Sequence, residues 1–157
     1  MQREFNVDMS AVARIASRVD LKDVCLTEVT ATRQRSVVGE VLHPDLQHDY
    51  SARCPAKGCI EVDCKYQLSV TTGGKPAASF AIVYVLTYKL RSDEPVEPTD
   101  LQHFAWANGA FHSWPFVREL LHSMTGRMGF PPYTLPVLTF VPPKQAAVAA
   151  KAATSAK

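Results

Sequence analysis

The sequence has no long hydrophobic run, no strong excess of either charge and no glycine-rich loop. Its longest apolar run reaches only from Phe80 to Leu86, far short of the ~20 residues that a membrane-spanning helix needs. Seventeen Lys and Arg against fifteen Asp and Glu leave a formal charge of +2, too mild for the dense basic patch of a nucleic-acid module. The first nine residues, MQREFNVDM, contain no apolar leader segment. The expectation is therefore no membrane insertion, a cytoplasmic protein, and four cysteines (Cys25, Cys54, Cys59, Cys64) kept as thiols.

Catalytic patterns are also missing. There is no phosphate-binding loop, no dinucleotide fingerprint, no HExxH and no G-x-S-x-G. The five histidines (His43, His48, His103, His112, His122) stand beside no nucleophile with an orienting carboxylate. Cys54, Cys59 and Cys64 recur every five residues, but structural zinc favours tighter Cys pairs. Cys64 also falls on the apolar face of a strand, where cysteine serves as a small core residue. The expectation is a non-enzymatic protein without a cofactor.

What is present is enough apolar material, 46% of 157 residues, for one ordinary domain. Residues 8–18 predict a short helix capped by Asp8 or Ser10. Residues 19–33 predict a strand whose apolar parity switches near Asp23, the sign of a bulge or of burial on both faces. The stretch 34–57 is mixed: Val37-Val38 and Val41-Leu42 suggest a short strand, and Pro44, Asp49, Pro55 and Gly58 mark loop. Residues 59–72 alternate with the period of a half-buried strand. Thr72-Gly-Gly-Lys75 then makes a hairpin turn into a partner strand at 77–91, apolar on both faces. Thr99 or Asp100 caps a helix to about Phe111, and Ser113 caps a second helix, with Pro115 in its first turn, running to Met128. Gly129 is placed as its left-handed cap. A single domain over 1–143 and an Ala/Lys-rich mobile tail over 144–157 complete the reading.

Four stretches resemble, in order, the SecB chaperone family. They are Leu21-Lys-Asp-Val-Cys-Leu26; Tyr66-Gln-Leu-Ser-Val-Thr71 with Gly73-Gly74; Ala78-Ser-Phe-Ala-Ile-Val-Tyr84; and Asn108 through Phe140. The last contains Trp114-Pro-Phe-Val-Arg-Glu119, Arg127, Gly129-Phe-Pro131, Leu135 and Pro136-Val137.

The resemblance implies an α+β fold: a four-stranded antiparallel sheet, two C-terminal helices on one side, and here a short N-terminal helix. It implies a homotetramer built as a dimer of dimers, holding unfolded polypeptides without ATP in apolar grooves between sheet and helices. Phe80, Ile82, Tyr84, Leu86, Trp106, Phe111, Phe130 and Tyr133 are the expected client-binding residues. Trp114, Val117, Leu120, Leu121 and Met124 are expected to serve helix packing or subunit contact. The N-terminal helix and Trp114 look like the branch of the family that accompanies toxin–antitoxin systems and shields an antitoxin. No Asp or Glu follows Glu119, and no carboxylate stands at Ala81–Val83; both departures weigh against docking of the export motor SecA. The alternative reading is a small basic protein with a dedicated partner or a nucleic-acid association.

Overall fold

The structure, a computed structural model, describes residues 6–35 and 41–138. Along the chain lie α1 (Met9–Ala16), β1 (Val19–Arg33), β2 (His43–Arg53), β3 (Cys59–Thr72), β4 (Lys75–Leu90), α2 (Pro98–Phe104), a π-helical turn (Ala105–Gly109) and α3 (Ala110–Arg127). The strands form one antiparallel sheet in the order β1-β4-β3-β2, and the helices lie on one side of it. Val37-Val38, Phe140 and the tail 144–157 fall outside the described residues.

The β3–β4 hairpin follows directly from its residues. Ile60, Val62, Cys64, Tyr66, Leu68 and Val70 alternate into the core, opposite Phe80, Ile82, Tyr84, Leu86 and Tyr88. Gly73 and Gly74 take φ of 54° and 75°, the left-handed pair that a two-residue hairpin turn requires. Asp8 proves to be the cap of α1: its carboxylate accepts from the Ser10 amide at 2.9 Å.

Three expectations are corrected. His43–Arg53 forms a strand, not a loop, and Val41-Leu42 precedes it without strand structure. β2 lies at the sheet edge, where Pro44 needs no ladder donor and polar side chains meet solvent. Second, α2 begins at Pro98 without a side-chain cap, and Asp100 is instead gripped by Arg14 from α1 at 2.6 and 2.7 Å. Third, no break separates α2 from α3. Ser113 sits inside the helix and donates to the Gly109 carbonyl at 2.5 Å. Pro115 also lies within α3. The residue whose carbonyl loses a partner to that proline, Phe111, is at the surface.

The π-helical turn marks the closest approach of helix to sheet. A side-chain carbon on Gly109 would lie 2.9 Å from Val62 Cγ1 and 3.2 Å from Tyr50 Cδ1, so only glycine fits there unstrained. From this point polar pegs reach up from the sheet. Ser113 Oγ gives its proton to Gly109, so it accepts from Tyr66 at 2.6 Å, and Tyr66 accepts from Tyr50 at 3.1 Å. Tyr88 bonds His112 Nδ1 at 2.9 Å. At the other end, Gly129 (φ 75°) closes α3 as expected: its amide bonds the Gly126 carbonyl and the Phe130 amide bonds that of Thr125, both at 3.0 Å.

Candidate functional site

The two sides of α3 face different strands. Trp114 lies edge-on to His48 of β2 and Tyr66 of β3, with ring centroids 5.9 and 6.1 Å away. Its indole N–H donates to the Pro136 carbonyl at 2.9 Å. Arg118 and His122, further along that side, line a shallow cleft of about 460 Å³ with Thr134. On the other side, His112 meets Tyr88 and Phe116 meets Tyr84 of β4, the latter with centroids 6.1 Å apart. Since the sheet order is β1-β4-β3-β2, this second side looks toward β1.

β1 is long and its helix-side row is only partly covered. Register places Leu21, Val24, Leu26, Val29, Ala31 and Arg33 opposite Tyr88, Leu86, Tyr84, Ile82, Phe80 and Ala78, on the face that the helices occupy. Two register shifts, at Leu21/Asp23 and Leu26/Glu28, switch the parity twice and keep apolar residues on that face. Yet Leu21, Leu26 and Val29 are 39–45% exposed, while their partners on β4 are buried. The helices cover β2, β3 and β4 and stop short of β1. The result is an apolar groove between the β1 row and the α3 side that carries Phe116, itself 46% exposed. Val24 and Ala31 in the same row are partly buried against the core, and the exposed apolar side chains between and beside them mark an interaction surface.

The groove closes at one end. Arg33 donates to the Met128 carbonyl at the end of α3 and stacks 4.8 Å over Phe130. Glu119 lies near enough to Tyr84 to act on it: burial first, then this carboxylate, hold the Tyr84 hydroxyl above its ordinary pKa.

The expected client-binding residues divide. Phe80, Ile82, Tyr84 and Leu86 are at most 6% exposed, in the core of a single chain. This corrects their placement in an open groove: they lie on the sheet face that the helices bury. Trp106 is buried against Tyr50, with centroids 5.1 Å apart. Phe111 is exposed, but its spacing from Phe116 puts it on the side of α3 away from the groove. Phe130 is half-buried under Arg33, and Tyr133 is half-buried with its amide bonded to Thr125 Oγ1 at 2.8 Å. In the expected packing set, Trp114, Val117 and Leu121 are buried, and Leu120 and Met124 pack against the core from its margin. Sequence reading missed Leu21, Leu26, Val29 and Phe116 as a surface. The parity switch near Asp23 was the available signal.

Among the described residues, no three His, Cys, Asp or Glu side chains gather as metal ligands, and no helix is long and apolar enough to cross a membrane. Burial pushes the Cys64 thiol up to about 12, so it is no thiolate at neutral pH.

No protein-family model matches the chain. Two curated relatives are 34% identical over 64 residues: the SecB-like chaperone Rv1957 of Mycobacterium tuberculosis (strain ATCC 25618 / H37Rv) and the SecB-like chaperone MT2006 of M. tuberculosis (strain CDC 1551 / Oshkosh). The alignment covers 40% of this chain and spans 35% of the relatives' own length. A solved structure of Rv1957, in complex with a ChAD peptide from the Rv1956 HigA1 antitoxin, superposes with a TM-score of 0.77 at 21% identity. That match covers 84% of this chain and 99% of the other.

Proposed function

We propose that this chain, SecB-like in fold and similar over part of its length to SecB-like chaperones, is an ATP-independent holdase that keeps aggregation-prone polypeptides unfolded in the groove between β1 and α3. The observation that carries this is the exposure of Leu21, Leu26 and Val29 on the helix side of β1, across from the exposed Phe116. Extended client segments expose apolar side chains in no fixed order. A long, shallow apolar surface accepts many such orders, whereas a deep pocket selects one. The chain acts without catalysis, in the cytoplasm.

The favoured client class is an antitoxin, because the similar structure of Rv1957 holds an antitoxin peptide. Two copies join through the free edge of β1, whose unpaired backbone groups offer a ready template, and dimers pair into a tetramer. SecA forms no part of the proposal: on the open sheet face Glu61 and Asp63 are both engaged by Arg53, at 2.6 and 3.2 Å.

The test is suppression of aggregation of a chemically denatured client, followed by light scattering without nucleotide. The native chain suppresses scattering, and the double variant Leu26→Ser/Phe116→Ser loses most of that activity. Both residues are exposed, so the far-ultraviolet circular dichroism should stay unchanged. Full suppression by the folded double variant would rule out this groove.

A further inference from the structure

The groove is apolar along its length but not electrically symmetric. The β1 row ends at Arg33, opposite Ala78. On α3, Arg127 follows Phe116 by eleven residues, three helical turns, and so projects from the same groove-facing side. Arg33 reaches the Met128 carbonyl, next to Arg127. Two guanidinium groups therefore stand at one end of the groove.

Neither is neutralised. Among the described residues, no carboxylate forms an ion pair with Arg33 or Arg127. Glu119, the carboxylate on the groove rim, lies two turns of α3 before Arg127 and beside Tyr84. Glu28 pairs opposite Val83, on the other face of the sheet. No Asp or Glu follows Glu119 in the sequence. The C-terminal end of α3 supplies about half a negative charge, which two arginines outweigh.

We infer that the partner segment in this groove is an extended apolar stretch flanked by a carboxylate, with the carboxylate docked at the Arg33–Arg127 end. This deepens the holdase reading and rests on it. The apolar row from Leu21 to Ala31 runs alongside Tyr88 to Phe80 of β4, about 27 Å at the rise of a strand, room for about eight extended residues. The arginines then fix which end of the client lies by Phe130. An unflanked apolar stretch lacks that polarity.

The experiment uses three fluorescent peptides of about twelve residues, identical in their apolar positions and ending in Asp-Asp, Ser-Ser or Lys-Lys. Binding to the full-length chain is read by anisotropy at low and high salt. At low salt the Asp-Asp peptide is expected to bind about fivefold tighter than the Ser-Ser peptide, the size of two exposed ion pairs, with the Lys-Lys peptide weakest. High salt should level the three, and Arg127→Glu should reverse the ranking. Equal affinities at low salt, or a ranking unchanged in folded Arg127→Glu, would overturn the inference and leave the holdase reading standing. Failure of all three peptides to bind would instead overturn the groove itself.

Discussion

Gly109 sets the height of the helix above the sheet. Adding a methyl group there drives it into Val62 and Tyr50, a clash of the kind that costs about 1–3 kcal/mol. The better helix propensity of alanine, about 1 kcal/mol, offsets only part of this. Gly109→Ala should therefore lower the midpoint of chemical denaturation. His48 makes a second residue-scale prediction. Its ring stands among Tyr50, Tyr66, Trp106 and Trp114, with centroids 5.4–6.3 Å away, and its Nδ1 is buried without a partner. Burial lowers its pKa, with Asp49 opposing weakly. A histidine whose folded pKa is depressed is neutral in both states at high pH. Once pH falls below the unfolded value of about 6.5, it is charged only on unfolding. Stability should thus decline as pH drops through that point, and His48→Phe should flatten the decline in thermal melts measured across pH 5–8. His112, also lowered by burial, leaves a residual slope.

Among the elements, β3, β4 and their turn were legible because strict alternation, two glycines and burial all agree. β2 was not. Its edge position exposes most of its side chains and tolerates Pro44, so an edge strand reads as loop. The helix break foreseen at Ser113 failed for the opposite reason. Ser113 and Pro115 carry strong local start signals, and tertiary contact overrides them, with Tyr66 claiming the Ser113 hydroxyl. β1 shows the limit most clearly. Its parity switch was visible, but not how far across the sheet the helices would reach. Apolar alternation assigns side chains to one face or the other, and Tyr84 and Leu26 share a face; what separates them is that the helices cover β4 and stop short of much of β1. Hence Phe80, Ile82, Tyr84 and Leu86 were read as surface, while Leu26 and Val29, their neighbours across the ladder, form the exposed row.

The whole molecule leaves one long sheet edge and one apolar row on the same strand. A fifteen-residue edge strand with exposed apolar side chains is a liability in isolation. Light scattering at micromolar concentration should therefore give a mass at least twice that of one 157-residue chain. A clean monomer would count against assembly through β1.

The tyrosine pegs carry a consequence for how such a groove adapts. Hydroxyls from β3 and β4 are anchored to Ser113 and His112, and Gly109 is wedged against Val62, so α3 has one seat on the sheet and no room to slide. β4 is the only strand that pairs with β1, Arg33 ties just one end of it to α3, and two bulges loosen its ladder. The groove is a vice with one fixed jaw. Bulky and slim client segments are accommodated by the twist of a single strand, while the helical jaw and the core beneath it stay where they are.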